Sequence, residues 1–136
     1  MNAQPFRYLS GSCLCARVRY RVEDAFAYAL YCHCSKCRRA TGSAFKALAA
    51  IERTKLAITQ GAEHLRIFGQ ELNHDARCGI CSSLLYSLVR EGQFVHITMG
   101  TLGEAPSIRP SAHIFVGSKA PWFTITDDLP QHLEFG

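Results

Sequence analysis

Residues 12–23 read Ser-Cys-Leu-Cys-Ala-Arg-Val-Arg-Tyr-Arg-Val-Glu, a pair of cysteines followed by an alternating run. Apolar residues and arginines alternate after the cysteines, which is the pattern of a strand with one buried and one solvated face. The apolar face carries Val18, Tyr20 and Val22. The solvated face carries Arg17, Arg19 and Arg21. We therefore predict a β-strand over Ala16–Glu23 that begins at two potential metal ligands.

Similar short segments, separated by glycines, predict further strands along the chain. They are Tyr28–Tyr31, Phe45–Ala50, Leu65–Phe68, Leu84–Leu88, Phe94–Thr98 and Ala112–Val116. A short helix is expected at Ser35–Thr41, ended by Gly42, and another helical turn at Asp127–His132. The predicted fold is mainly β, with small strands packed around metal sites and one or two short helices. We expect one domain spanning residues 1–136.

The composition is that of an ordinary globular protein, with 136 residues of which 48% are hydrophobic and 19% charged. The formal net charge of +4 suits a small acidic substrate and is too low to indicate a nucleic-acid partner. The longest apolar run, Ala25–Cys32, is too short to cross a bilayer. Since residues 1–10 contain no apolar leader, we expect a cytoplasmic protein without a membrane partner.

The seven cysteines fall into three groups along the chain. A cytoplasmic compartment keeps thiols reduced and the count is odd, so clustered cysteines indicate metal binding rather than disulfides. Cys78 and Cys81 form a C-x-x-C pair around Gly79, and two such thiolates can reach one ion at about 2.3 Å each. Cys13 and Cys15 can complete that site, because alternate residues of an extended chain point the same way. Together they predict a closed, structural zinc site.

The central group places three cysteines within the segment Cys32-His33-Cys34-Ser35-Lys36-Cys37. Cys34 and Cys37 can begin a helical turn while Cys32 arrives from the preceding strand, so all three can face one ion. Three protein ligands with an open fourth position are typical of catalytic zinc. We predict that Cys32, Cys34 and Cys37 form a catalytic metal site, which gives two zinc ions per chain.

Three other interpretations of the cysteines stay open. His33 or a distant histidine can close the central group and make both sites structural, although His33 stands between two ligands and is expected to point away from the metal. The pair Cys78 and Cys81 can be redox-active, which the lack of a strand–helix–strand pattern around it disfavours. Iron can replace zinc in the four-cysteine site.

With these motifs assembled, the chain resembles the glutathione-dependent formaldehyde-activating enzyme family, which includes centromere protein V. The resemblance runs from about Gly11 to Pro130. It rests on residues 11–20, 32–45, 78–81 and 113–122, which read GSCLCARVRY, CHCSKCRRATGSAF, CGIC and HIFVGSKAPW. The order and spacing of all seven cysteines fit the family.

The resemblance implies a β-tent, zinc-ribbon-like fold of small antiparallel sheets around two zinc sites. It also implies the same ligand division, into four structural and three catalytic cysteines. The family's named activity joins glutathione to formaldehyde to give S-hydroxymethylglutathione, and is classed as a carbon–sulfur lyase from the reverse direction. The chain departs from the family after Cys15 and Cys81, where Ala16 and Ser82 stand in place of the usual glycine.

Basic and aromatic residues near these motifs are candidates for substrate binding. The residues that flank the central cysteines and can receive glutathione carboxylates are Lys36, Arg38 and Arg39. Alternatively, these three form a solvated helix face. A polar and aromatic group near the C-terminus contains His113, Ser118, Lys119 and Trp122. This group forms either a pocket wall or a motif in which Trp122 fills the core, and we predict the latter.

The sequence therefore predicts an enzyme, a zinc-dependent carbon–sulfur lyase. Its substrates would be glutathione or another thiol and formaldehyde or a related small aldehyde, joined or separated as an S-hydroxymethyl adduct. The alternative is a non-catalytic zinc-binding module with a macromolecular partner. The enzyme is favoured because the central cysteines leave one coordination position open, and because a binding module is expected to carry basic and aromatic residues interleaved on one surface.

Overall fold

The computed structural model describes residues 7–135 of the chain. The strands within this range are β1 (Tyr8–Ser12), β2 (Arg19–Glu23), β3 (Tyr28–Cys32), β4 (Lys46–Glu52), β5 (Leu56–Gln60), β6 (Leu65–Gln70), β7 (Asn73–Cys78), β8 (Leu84–Val89), β9 (Phe94–Thr98) and β10 (His113–Ile114). The α-helix is α1 (Ser35–Thr41), and 3-10 helices cover Arg53–Lys55, Ala62–His64, Met99–Thr101 and Val116–Ser118. None of these described helices has the length and apolar character needed to cross a membrane. The mainly β fold is confirmed, while the expectation of no leader in residues 1–10 falls largely outside the described range.

The strands form two sheets. The smaller is antiparallel, with strand order β1-β2-β5. The larger has the order β10-β3-β4-β9-β8-β7-β6 and is antiparallel except for β10, which runs parallel to β3. In this sheet Cys32 lies opposite Lys46, and Cys78 lies opposite Leu65. The register thus places cysteines at two different strand ends.

Apolar side chains of both sheets form the main hydrophobic core. Its residues in the first 22 positions are Leu9, Val18, Tyr20 and Val22, and those of the larger sheet are Ile51, Leu85, Leu88, Val95 and Ile97. Burying such a side chain contributes about 1.5–3 kcal/mol. The predicted alternation in β2 is confirmed, because Arg19 and Arg21 are exposed between buried neighbours. The predicted start at Ala16 is wrong, since Ala16 takes a left-handed φ of 65° and the strand begins at Arg19. Cys13 and Cys78 lie within the same core.

A smaller apolar cluster surrounds the start of helix α1. Its buried members are Cys32, Leu48 and Ile114, against which Tyr28, Leu30, Cys34, Cys37 and Phe115 pack. The helix begins after Cys34, whose Sγ accepts a hydrogen bond from the Cys37 N–H at 3.3 Å. It ends at Gly42, which has a left-handed φ of 64° and donates its N–H to the Arg38 carbonyl at 2.8 Å. The predicted helix is confirmed.

Three strands, β1, β5 and β7, were not predicted from the sequence. In β5 no residue is fully buried, and the alternation of half-buried Leu56 and Ile58 with exposed neighbours covers only five residues. In β1 a buried position is occupied by Gly11. A larger residue does not fit there, because a Cβ would overlap the ring of Tyr20. Strands of this kind form through pairing with neighbours rather than through their own pattern.

The C-terminal segment also differs from its predictions. The helical turn predicted at Asp127–His132 is wrong, because this backbone runs beside β10. There the His113 N–H donates to the Pro130 carbonyl, and the His132 N–H donates to the His113 carbonyl, both at 2.9 Å. The predicted strand Ala112–Val116 shortens to β10, since Phe115 takes a left-handed φ of 57° and precedes a 3-10 helix.

Candidate metal centres and active site

Four cysteines from distant parts of the chain meet in the main core, and we call them the four-cysteine cluster. Cys13 and Cys15 follow β1, Cys78 ends β7, and Cys81 lies in the next turn. Their Sγ atoms lie within 4.8 Å of one another, with 3.6 Å between Cys13 and Cys15 and 3.8 Å between Cys15 and Cys78. Sulfurs at about 2.3 Å from a tetrahedral zinc are about 3.8 Å apart. The cluster can hold one metal ion, and its spacing fits zinc.

Backbone amides support two of these sulfurs. The Val18 N–H donates to Cys13 Sγ at 3.3 Å, and the N–H groups of Ile80 and Cys81 donate to Cys78 Sγ at 3.4 Å and 3.5 Å. Hydrogen bonds to sulfur favour its charged form, and the thiolate is the form that binds metals. Since Cys13 is 4% and Cys78 1% exposed, these two sulfurs are shielded from solvent.

The other three cysteines meet where β3 passes into α1, and we call them the three-cysteine cluster. Cys32 is the last residue of β3, Cys34 caps the helix, and Cys37 lies in its first turn. Their Sγ atoms also lie within 4.8 Å of one another. Within residues 7–135, no histidine or carboxylate joins them. The structure therefore brings the predicted residues together as four and three, and the smaller cluster can hold an ion through three sulfurs.

The three-cysteine cluster shares its protons unequally. The hydrogen bond from Cys37 lowers the pKa of Cys32 to about 6, against the effect of burial and with help from the charge of Lys46. The same hydrogen bond, together with burial, raises the pKa of Cys37 above its ordinary value. The surroundings therefore stabilise a thiolate at Cys32 through a neighbouring S–H donor and a nearby ammonium.

Comparison with known proteins shows the family of this chain. The family model described as glutathione-dependent formaldehyde-activating enzyme matches residues 8–118, which contain all seven cysteines. The chain belongs to this family. A Halomonas elongata protein named "Putative glutathione-dependent formaldehyde-activating enzyme" is 28% identical over 126 aligned residues, covering 86% of this chain and 80% of the relative. A Rhodobacter sphaeroides protein of known crystal structure is 29% identical, with a TM-score of 0.58, covering 71% of this chain and 91% of its own.

Two backbone turns at the four-cysteine cluster hold residues other than glycine in a left-handed conformation. Ala16 and Ser82, which follow Cys15 and Cys81, have φ values of 65° and 69°. This left-handed region is free of strain for glycine and costs about 1–2 kcal/mol for a residue with a Cβ. Ala16 and Ser82 therefore occupy turns that glycine would adopt without strain.

A buried lysine stands beside the three-cysteine cluster. Lys46 is 5% exposed and lies opposite Cys32 in the sheet. Its Nζ donates to Ser87 Oγ at 2.9 Å, and Ser87 Oγ donates to Asp75 Oδ1 at 2.6 Å. Burial lowers the pKa of Lys46, while the charges of Cys37 and Asp75 oppose this effect. Our sequence reasoning missed this group, although a lysine within an apolar predicted strand is a signal that could have found it.

A pocket of about 150 Å³ opens beside the three-cysteine cluster. Its lining residues are Lys36, Cys37, Ala40, Lys46, Asp75 and Ser87. Of the three basic residues predicted to bind substrate, Lys36 lines this pocket, while Arg38 and Arg39 lie on α1 outside its lining. Lys36 and Arg39 are exposed, and Arg38 is half-buried.

His33 forms a hydrogen bond with His113 of β10 and is not part of the three-cysteine cluster. Its Nε2 lies 2.8 Å from His113 Nδ1, and His113 Nε2 lies 3.0 Å from Asp127 Oδ2. Burial lowers the pKa of His33 to about 4, and the charge of His113 adds to this effect. No histidine of residues 7–135 lies close enough to the three sulfurs to share an ion with them, which argues against closure of the metal site by His33.

The prediction that Trp122 fills the core is wrong, because its side chain is 71% exposed. The next residue, Phe123, turns inward instead, with its ring centroid 5.5 Å from that of Phe45 and 6.2 Å from that of His33. Lys119 Nζ donates to the carbonyls of Ala120, at 3.1 Å, and Phe123. Lys119 thus holds this turn, which directs Trp122 outward.

Proposed function

We propose that this protein is a zinc-dependent carbon–sulfur lyase of one domain over residues 1–136. It forms or breaks the S-hydroxymethyl adduct of glutathione, or another thiol, with formaldehyde or a related small aldehyde. The cysteines proposed as ligands of a structural zinc are Cys13, Cys15, Cys78 and Cys81. Those proposed as ligands of a catalytic zinc are Cys32, Cys34 and Cys37. Membership of the family supports this reaction.

The observation that carries the proposal is the three-cysteine cluster with a pocket at its side. Its sulfurs lie close enough to share one ion, and Cys37 also lines the pocket. Tetrahedral zinc takes four ligands, so a substrate thiol can supply the fourth. Bound zinc would hold that thiol as the nucleophilic thiolate at neutral pH.

The chemical balance of the reaction is simple. The thiol loses its proton, the sulfur forms a bond to the aldehyde carbon, and the carbonyl oxygen takes up a proton from solvent. Breakdown of the adduct is the reverse. The protein's residues therefore need to hold the two reactants together and stabilise charge at the sulfur and oxygen.

Basic side chains near the cluster suit an anionic thiol. Three thiolates outweigh the charge of one zinc ion, so positive charge is needed nearby to admit glutathione with its carboxylates. Lys36 lines the pocket, and its exposed ammonium is placed to meet a carboxylate there. Arg38 and Arg39 belong to the same helix and add to the local positive charge.

A cytoplasmic location belongs to the same proposal. The seven cysteines are all unpaired. Thiols that must stay reduced for metal binding are suited to a reducing compartment.

The test is whether zinc-loaded protein accelerates the exchange between glutathione, formaldehyde and their adduct, measured by exchange NMR. The thiol addition proceeds without catalyst, so the comparison is with buffer at the same pH. We expect Cys34→Ser to lose the acceleration and Ser35→Ala, a control in the same helical turn, to keep it. A wild-type rate equal to that of buffer would sink the proposal and favour a non-catalytic zinc module.

A further inference from the structure

Lys46 is a buried lysine at the start of strand β4. A lysine is rarely buried unless its charge has partners, because removal from water penalises the ammonium. Its side chain is 5% exposed, and its neighbours on β4 are apolar. No carboxylate forms an ion pair with it among residues 7–135. The sheet therefore keeps a charge where a hydrophobic residue would pack more easily.

A short chain of hydrogen bonds fixes the direction of this ammonium. Ser87 Oγ gives its proton to Asp75 at 2.6 Å and accepts from Lys46 Nζ at 2.9 Å, so the hydroxyl has both roles filled. An ammonium has three N–H donors, and this bond uses one. The other two have no hydrogen-bond partner among the described residues. They are available to an acceptor that enters the pocket.

The pocket lined by Lys46 is also lined by Cys37 of the three-cysteine cluster. Its volume of about 150 Å³ is enough for a small aldehyde and the end of a thiol, since one water takes about 30 Å³ in the liquid. A carbonyl oxygen in this space would have both Lys46 and Cys37 among its neighbours.

We propose that Lys46 is a further catalytic residue, which binds the carbonyl oxygen of the aldehyde and stabilises the negative charge that develops there. The inference rests on the proposed function. As the thiolate sulfur bonds to the carbonyl carbon, the π electron pair of the C=O bond moves to oxygen. Lys46 holds that oxyanion by hydrogen bonds, and the oxyanion then takes a proton from water. Preorganised donors aimed at a developing oxyanion are among the most effective catalytic groups.

A second role for Lys46 is to neutralise the thiolates of the cluster, and the two roles predict different results. Neutralisation acts on the sulfur, so its loss would weaken the binding of a thiol to the metal. Oxygen binding acts on the aldehyde, so its loss would slow adduct formation while thiol binding stays the same. The hydrogen bond to Ser87 favours oxygen binding, since a diffuse charge effect does not need a fixed direction.

The experiment compares Lys46→Met, Lys46→Arg and Ser87→Ala with wild-type protein. Lys55→Met is the matched control, because it removes the same charge just after the same strand, where Lys55 pairs with Glu52. Zinc content and thermal unfolding check that each variant is folded. The exchange rate measures the reaction, and thiol binding is read separately from the absorption of cobalt-substituted protein titrated with glutathione.

We expect Lys46→Met to lower the protein-dependent rate by about 100-fold, as for loss of one oxyanion donor. Glutathione binding at cobalt stays within about twofold of wild type, Lys46→Arg recovers part of the rate, and Lys55→Met keeps all of it. Ser87→Ala lowers the rate less, because the ammonium remains but is less well directed. An unchanged rate in Lys46→Met overturns the proposal, as does an equal loss of glutathione binding. If Lys46→Met does not fold, a wild-type rate in Ser87→Ala overturns it.

A readout without turnover separates this inference from the proposed function. Formate is a planar one-carbon anion close in size to formaldehyde, and its oxygens can accept hydrogen bonds from Lys46. Its binding to cobalt-substituted protein broadens the carbon-13 NMR line of labelled formate. We expect Lys46→Met to lose this binding and Lys55→Met to keep it. If formate binding depends on Lys46 and the wild type shows no acceleration, the lyase proposal fails while oxygen binding by Lys46 stands. Equal formate binding in Lys46→Met and wild type overturns the inference.

Discussion

The two cysteine clusters use the same side chain in different surroundings. The four-cysteine cluster draws its sulfurs from two ends of a long stretch, Cys13 and Cys15 before β2 and Cys78 and Cys81 after β7, and it lies in the core shared by both sheets. The three-cysteine cluster takes its sulfurs from six successive residues and lies beside a pocket. A metal ion held by sulfurs far apart in sequence would connect distant segments of the fold, whereas one held by three neighbouring sulfurs beside the pocket would keep one side open to a substrate.

The groups near each cluster differ in the same way. Backbone N–H groups donate to Cys13 and Cys78 of the four-cysteine cluster. These local hydrogen bonds stabilise the conformation of the chain around each sulfur. Beside the three-cysteine cluster stand two ammonium side chains, Lys36 and Lys46, which can act on a ligand. We therefore expect changes at the first cluster to affect folding, and changes at the second to affect chemistry.

The largest expected effect is on stability. Replacing Cys78 or Cys81 by Ser removes a ligand that links distant segments, and structural zinc contributes about 10 kcal/mol to the folding of small modules. Since the whole stability of a domain is about 5–15 kcal/mol, these variants should be largely unfolded. Cys34→Ser and Cys37→Ser should cost only about 1–3 kcal/mol and retain one zinc. Denaturant unfolding in excess zinc measures the difference. Equal losses from both sets would mean that both clusters are structural.

The grouping of the cysteines is the part of the molecule that the sequence predicts best. The type of ligand and its local spacing decide which sulfurs can bind one ion. The C-x-C and C-x-x-C motifs specify both the ligand type and the spacing within a few residues. The helix Ser35–Thr41 was predicted for the same local reason, a polar segment ended by Gly42.

Features that depend on sheet register were not readable. The hydrogen-bonded set of Lys46, Ser87 and Asp75 comes from β4, β8 and β7, and only their order in the sheet brings these side chains together. The bond between His33 and His113 likewise depends on β10 pairing in parallel with β3. Trp122 was misjudged because a large aromatic is buried on average, and the local turn decides each case.

The second prediction concerns metal affinity. A fully loaded chain should contain two zinc ions, and graded chelation should remove the first from the three-cysteine cluster, which offers fewer protein ligands and a more open position. Elemental analysis along the chelation series measures this. The Cys34→Ser and Cys37→Ser double variant serves as control and should hold one zinc that resists the chelator. A wild-type content that never exceeds one ion in excess zinc contradicts the two-site interpretation.

The third prediction concerns the ligand that enters. In cobalt-substituted protein, glutathione should increase the thiolate charge-transfer absorption of the weaker site and leave the four-cysteine site unchanged. Because binding releases the thiol proton, the apparent affinity should rise with pH, by up to about tenfold per unit, and level off above the thiol pKa of about 8.5. No spectral change at millimolar glutathione would show that the position is closed.

Charge variants sharpen the same measurement. Lys36→Met should weaken glutathione binding by about two- to fivefold, the range of an exposed ion pair. It should change the binding of mercaptoethanol, an uncharged thiol, much less. Arg38→Met and Arg39→Met should have smaller effects, since neither side chain lines the pocket. If all three variants bind both thiols as the wild type does, these residues are a solvated helix face.

The smallest expected effect lies in the backbone beside each cluster. Ala16 and Ser82 hold left-handed φ values at the four-cysteine cluster, whereas the corresponding position after helix α1 is already a glycine, Gly42, with a φ of 64°. Ala16→Gly and Ser82→Gly should each raise the free energy of unfolding by about 0.5–1 kcal/mol, because relief of about 1–2 kcal/mol of strain exceeds the entropy that glycine loses on folding. Gly42→Ala should lower it by about the same amount, and conformation alone would be responsible, since a Cβ there meets no atom within 4 Å.

Ala57→Gly, on an exposed position of β5, is the control and should destabilise by about 0.5–1 kcal/mol. Denaturant unfolding of the zinc-loaded variants measures all four. If Ala16→Gly destabilises as Ala57→Gly does, the turn at the four-cysteine cluster stores no strain, and the two clusters differ in their ligands and surroundings alone.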